Sequence, residues 1–235
     1  MLKQAHYLED KILFNEYQPL INSSNDSIFA FEALIRSSPP VNPLIMFEIA
    51  RNEGFLYELD TFCIENAINQ YPQSYIKKYF LFINIFPSTI IHQHFEKFIH
   101  HLIENYPNIN QHVIFEINEI SLEESIWEKE IFLERMSILR SLGFRIALDD
   151  LQIARSSLHK LETLSPEYIK LDHTRAKDLS FSIIRQEVVS FFLEFTHSNM
   201  KLVLEGIETK DDLIMAKRLG VPLLQGYYIS KPKRL

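Results

Sequence analysis

Phe144-Arg-Ile-Ala-Leu-Asp-Asp150 is the stretch from which the fold is read. A short apolar run enters two adjacent carboxylates. The spacing predicts a helix before it, over residues 122–142 and stopped by Gly143, and another after it, over 156–164. A buried strand ending in Asp149 and Asp150 sets two negative charges side by side where the backbone leaves the core. Such a pair repels and is costly to desolvate unless a cation sits between its members. Taken alone, the stretch also reads as a polar turn in which Asp150 caps the next helix. The recurrence of the same arrangement along the chain favours the strand.

Outward from this stretch, apolar runs predict strands over 12–19, 28–34, 79–85, 113–117, 168–171, 201–204 and 223–226. The first two form a hairpin across Asn22-Ser-Ser-Asn-Asp-Ser27. Three- and four-residue spacing predicts helices over 44–52, 58–70, 88–106, 181–198 and 210–219. Strands buried on both faces and alternating with helices imply a parallel sheet in one α/β domain spanning residues 1–235. That many units favours a closed TIM-type (β/α) barrel. A doubly wound sheet remains the alternative, although no strand is followed by a glycine-rich nucleotide turn.

Composition narrows the function. With 235 residues and 46% hydrophobic content the chain can bury a sizeable core, and a net charge of −7 argues against binding nucleic-acid polymers. It does not argue against an acidic site that holds an anionic substrate through metal ions. A single cysteine, Cys63, leaves no disulfide framework and fits a reducing, cytoplasmic setting. The start of the chain lacks the apolar segment of a secretion signal, and no apolar run is long enough for membrane insertion.

In a barrel of this kind the active site forms at the C-terminal ends of the strands. Those ends carry Glu32, Asn84, Glu116, Asp149 with Asp150, Lys170, Glu205 and Gln225. Converging, they make an oxygen-rich ring that requires cations, and oxygen donors suit Mg²⁺ or Mn²⁺. The nine histidines, such as His92, His94, His100 and His101, fall in helical or surface contexts, away from any zinc pattern. Two metals among carboxylates with a lysine nearby suit phosphodiester hydrolysis.

The sequence resembles the EAL domain family of bacterial cyclic di-GMP phosphodiesterases. The signature is Glu32-Ala-Leu-Ile-Arg36, supported in order by Tyr17-Gln-Pro19, Ile83-Asn-Ile85, Phe115-Glu-Ile-Asn-Glu119, Leu148-Asp-Asp150, Ile169-Lys-Leu-Asp172, Glu205-Gly-Ile-Glu208, Gln225-Gly-Tyr227 and Lys231-Pro232. The resemblance implies a TIM-type barrel with one antiparallel strand, and cleavage of cyclic di-GMP to linear pGpG. It implies one Mg²⁺ or Mn²⁺ on Glu32, Asn84, Glu116 and Asp149, and a second on Asp150. Lys170 would contact the nucleophilic water, Glu205 would complete the metal shell, and Glu119 and Glu208 would support the loops. Gln18, Leu34, Arg36, Asn84, Asp172, Gln225 and Pro232 would contact the ligand. A homodimer is implied, Ca²⁺ is expected to inhibit through its larger and looser coordination sphere, and control is expected from expression, dimerisation or a protein partner.

One departure stands out. After the paired aspartates the family usually continues Phe-Gly-Thr-Gly-Tyr, whereas this chain reads Leu151-Gln-Ile-Ala-Arg155. Gln152 and Ala154 do not adopt positive φ angles cheaply, so this loop is expected to take another path. The rerouted loop is either competent, giving an active phosphodiesterase, or it weakens the second metal site. The latter would give a catalytically weak cyclic di-GMP receptor or a protein-interaction module. An unrelated metal-dependent barrel hydrolase fits the ligand-contacting motifs less well.

Overall fold

Eight strands hydrogen-bond in chain order and close on themselves as a barrel in the computed structural model. It describes residues 11–118, 121–151, 155–196 and 200–235. The strands are β1 (Ile12–Asn22), β2 (Ile28–Ser38), β3 (Phe80–Ile85), β4 (Val113–Asn118), β5 (Arg145–Asp149), β6 (Tyr168–Leu171), β7 (Lys201–Leu204) and β8 (Leu223–Leu224). From β2 to β8 neighbours run parallel, and β1 is antiparallel to both β2 and β8. The longer helices are α1 (Pro43–Asn52), α2 (Leu56–Gln70), α3 (Phe95–Asn105), α4 (Glu130–Ser141), α5 (Arg155–Leu164), α6 (Ile183–Phe195) and α7 (Lys210–Arg218).

Strand periodicity explains the two-layer core. One set of side chains, among them Phe82, Ile114 and Ala147, fills the barrel. The alternate set, including Leu81, Ile83, Phe115, Ile146 and Leu148, faces the helices and packs with Phe95, Phe132 and Phe192. Each fully buried Phe or Leu contributes on the order of 2 kcal/mol, so the shell rather than helix propensity holds the helices in place. Gly143 ends α4 at φ +99°, its N–H donating to the Arg140 carbonyl 2.9 Å away, as the helix-stop reading requires.

Two predicted helices are corrected. The 88–106 span divides into a single turn, Pro87–Ile90, and α3. Ile90 and Phe95 are both buried, and a continuous helix would set residues five apart about 140° from each other, so the chain breaks at His92–His94 to bury both. The 122–142 span divides into a 3₁₀ segment, Ser121–Ile126, and α4. Adjacent Ile126 and Trp127 are buried together with Phe132, which a single helix would turn away by roughly 120°. Among the described residues no helix is long and apolar enough to cross a membrane.

Candidate active site

Period two along the strands also builds the site. Leu20, Ala30, Phe82, Ile114, Ala147, Tyr168, Val203 and Leu223 make one layer inside the barrel. Two residues further toward the rim, on the same face of each strand or its continuation, stand Glu32, Asn84, Glu116, Asp149, Lys170, Glu205 and Gln225. On antiparallel β1 the equivalent step runs backward and gives Gln18, paired in register with Glu32. An apolar floor thus carries a polar layer directly above it.

Lys170 is at the centre of that layer and is fully buried. Its ammonium ion-pairs with Glu116 and Glu205, and lies 3.4 Å from Glu32 Oε2 and 3.8 Å from Asp149 Oδ1. Gln225 Nε2 donates to Glu32 Oε2 at 2.7 Å. Burial alone would favour the neutral amine, but Asp149, Glu116, Glu205 and Glu32 outweigh it and hold the Lys170 ammonium well above its ordinary range. The buried carboxylates are shifted upward too, which for an acid favours the neutral form. Burial, reinforced by their mutual repulsion and opposed by Lys170, raises Glu116 well above its usual value, raises Asp149, and pushes Glu205 up to about 8.

One ammonium does not neutralise four carboxylates, and the donor set fits a divalent cation. Glu32, Glu116 and Glu205 each offer an oxygen within 4.8 Å of the others. Glu116 Oε2, Asp149 Oδ1 and Gln225 Oε1 are buried and accept no hydrogen bond among the described residues. Buried oxygen acceptors of this kind are the ligands that hard cations take.

The remaining predicted residues lie around this ring. Asp150 sits just past β5 at φ +56°, exposed, in the left-handed region that Asp tolerates better than most residues. It lines a cavity of about 480 Å³ together with Leu34, Arg36 and Asn84. Arg36 Nε donates to Glu16 Oε2 at 2.9 Å, so part of its fork is already engaged. Gln18 Nε2 donates to the Ser230 carbonyl at 3.0 Å. Asp172 lies half-buried just past β6 and accepts a hydrogen bond from Thr174 Oγ1 at 2.7 Å. Glu208 is exposed on the segment after β7. Pro232 is half-buried beside Lys233, whose carbonyl accepts the Tyr17 N–H at 2.8 Å. Glu119, Gln152 and Ala154 lie outside the described residues.

Sequence reasoning missed Asn118. It ends β4 in register with Asp149, and its Nδ2 donates to Asp150 Oδ2 at 2.9 Å and lies 3.4 Å from Asp149 Oδ2. One amide thus ties the paired aspartates to the neighbouring strand. Asn118 falls one residue past the predicted strand end at residue 117, and its partner is set by the register between β4 and β5. Arg51 and Asp60 of the cavity wall were also missed, because both sit within amphipathic helices and read there as ordinary polar positions.

Comparison with known proteins agrees with this geometry. The EAL domain family model matches residues 1–232. The Escherichia coli protein named "Probable cyclic di-GMP phosphodiesterase PdeI" is 29% identical over 237 residues, covering 97% of this chain and 30% of the relative. A second, "Probable cyclic di-GMP phosphodiesterase PdeG" from the same species, is 26% identical over 225 residues, covering 92% of this chain and 44% of the relative. The chain thus spans less than half the length of these relatives. Among solved structures, the calcium/cy-diGMP complex of Klebsiella pneumoniae BlrP1 superposes with a TM-score of 0.83 at 25% identity, covering 94% of this chain and 56% of that one. The manganese/cy-diGMP complex of the same protein gives 0.82 at the same identity and coverage. With the family model matching nearly from end to end, the chain belongs to the EAL domain family.

Proposed function

We infer that residues 1–235 form one EAL domain that hydrolyses cyclic di-GMP to linear pGpG in a metal-dependent reaction. The observation that carries this reading is the buried Lys170 ammonium surrounded by Glu32, Glu116, Asp149 and Glu205, with acceptor oxygens left over for cations. Glu32, Asn84, Glu116, Asp149, Asp150 and Glu205 would hold two Mg²⁺ or Mn²⁺ ions. When bound, such ions supply Lewis acidity to the phosphate and lower the pKa of the attacking water. Lys170 would orient that water and carry positive charge toward the developing oxyanion. Leu34 and Arg36 would seat part of the dinucleotide in the adjoining cavity. The naming of the relatives and the ligand in the BlrP1 complexes supply the substrate class.

The test is turnover of cyclic di-GMP by the purified protein in Mg²⁺, Mn²⁺ and Ca²⁺, with Lys170→Ala and Glu32→Ala alongside. pGpG should appear with Mg²⁺ or Mn²⁺, be suppressed by Ca²⁺, and vanish in both variants. Retained ligand binding without turnover would instead make this chain a cyclic di-GMP receptor.

A further inference from the structure

Asn84, an expected metal ligand, is exposed at the rim of β3, and the backbone that carries it turns sharply at Phe86-Pro87. That turn is gripped from two sides by carboxylates that belong to neither the strand nor the lysine-centred ring. From α2, Asp60 Oδ2 accepts the Phe86 N–H at 3.0 Å. From the 3₁₀ segment, Glu123 Oε2 accepts the Ser88 N–H and its Oε1 accepts the Ser88 hydroxyl, both at 2.8 Å. Both carboxylates are buried, each about 2% exposed. Glu123 is in turn ion-paired with Arg51 of α1, whose guanidinium lies 5.4 Å from the centre of the Phe86 ring.

These contacts exceed what closing a turn requires. A backbone N–H at this rim is satisfied by water at little cost, whereas burying two carboxylates to meet it is expensive unless they are paired. Arg51, Asp60, Phe86 and Asn84 share the wall of the 480 Å³ cavity. A ligand in the cavity would therefore meet this turn as well as Asn84 and Asp150.

We propose that Asp60 and the Arg51–Glu123 pair are positioning residues. They fix the 84–88 turn, set the Asn84 side chain for metal binding, and couple occupation of the cavity to the tightness of the metal site. This inference rests on the proposed metal-dependent reading of the site.

The experiment measures Mn²⁺ affinity by calorimetry, with and without cyclic di-GMP, in the wild type, Glu123→Ala, Arg51→Met, Asp60→Ala, Asp60→Asn and Ser88→Ala. Thermal unfolding of each variant checks its fold. Outer-sphere partners of metal ligands typically affect affinity by roughly 10- to 100-fold. Glu123→Ala and Asp60→Ala should each weaken Mn²⁺ binding by at least about tenfold on that basis. Asp60→Asn keeps an acceptor for the Phe86 N–H and should restore most of the affinity, which a purely structural role for the charge would not predict. Arg51→Met should reduce the gain in Mn²⁺ affinity that cyclic di-GMP confers on the wild type. Ser88→Ala removes one half-buried hydroxyl donor to Glu123 Oε1 while keeping the Ser88 N–H contact, and should produce a smaller loss in the same direction. Mn²⁺ affinities equal to wild type in folded Glu123→Ala, Asp60→Ala and Ser88→Ala would overturn the proposal. A wild type that binds no Mn²⁺ at all would overturn the reading of the site itself.

Discussion

The Lys170 ammonium and the Glu116 carboxylate form an ion pair sealed from solvent, with side chains 1% and 0% exposed. Breaking a buried pair by removing one partner costs about 3–5 kcal/mol, because the remaining charge has no water to turn to. Lys170→Met, close to the lysine in volume, leaves Glu32, Glu116, Asp149 and Glu205 without their shared cation. The variant should be destabilised by a few kcal/mol in chelator, and more at pH 8 than at pH 6, where the carboxylates take up protons instead. Mn²⁺ should restore part of the loss while turnover stays absent. Denaturant titration with and without Mn²⁺ checks both arms.

Those same carboxylates predict the pH dependence of metal binding. Burial raises Glu116 and Asp149 and holds Glu205 near 8, so at neutral pH the cluster carries protons that an incoming cation must displace. Mn²⁺ affinity should therefore rise from pH 6 to pH 8, with net proton release at pH 7. Calorimetry in two buffers of different ionisation enthalpy reads the released protons directly. A flat profile would mean that the site is already deprotonated.

Most of this ring was legible in the sequence for a definite reason. A strand of β6 that reads Tyr168-Ile-Lys-Leu171 puts Lys170 on the same face as Tyr168, and period two leaves it no other direction. Asp149, Glu116 and Glu32 follow by the same logic. Asn118 was not legible, because its role depends on the register between β4 and β5, which no local pattern encodes. The breaks in the 88–106 and 122–142 helices were hidden for a related reason. The spacing there is helical on both sides, and only burial of Ile90 with Phe95, or of Trp127 with Phe132, forces the chain to bend.

Asn118 itself gives a clean test. Its amide holds Asp150 Oδ2 at 2.9 Å and spans toward Asp149 across the strand pair. Asn118→Ala removes the bridge without adding charge or volume. By analogy with other outer-sphere partners it should weaken metal binding and turnover by roughly 10- to 100-fold. Asn118→Asp, which places a third carboxylate beside two others, should do worse in Mn²⁺-free stability and recover only at high metal. Denaturation midpoints across a Mn²⁺ series separate the two variants.

Asp60 offers a prediction on stability. Burial raises its carboxyl from an ordinary 3.8 to about 7. An acid whose folded value lies above its unfolded one binds protons on folding, so its contribution to stability is present at low pH and is lost as pH climbs from about 4 to 7. The whole span corresponds to roughly 4 kcal/mol at 1.36 kcal/mol per unit. Asp60→Asn cannot ionise and keeps an acceptor for Phe86. It should therefore gain stability relative to the wild type as pH rises across this window. Paired denaturation curves at pH 5 and pH 8 decide it: an unchanged difference would show that Asp60 is ionised throughout.

Gly226 closes the rim between Gln225 and Tyr227, and here the constraint is space. A Cβ built on Gly226 would meet the backbone N and O of Ile207 at 2.2 Å, nearer than van der Waals contact permits. The Ile207 N–H donates to the Gln225 carbonyl at 3.0 Å, and the Tyr228 N–H donates to the Ile207 carbonyl at 2.9 Å, so the two chain segments are laced together on either side of the glycine. Backbone atoms cannot step aside as a flexible side chain would. Gly226→Ala must therefore spread the β7–β8 edge, carrying Gln225 off Glu32 and Glu205 away from Lys170. The expected result is a folded but destabilised protein, lower by about 1–3 kcal/mol as overpacking usually costs. Its loss of turnover should exceed what that instability accounts for, because the displaced groups belong to the metal-binding ring. Activity assayed well below the variant's unfolding temperature separates the two effects, and full activity there would show that the ring tolerates the displacement.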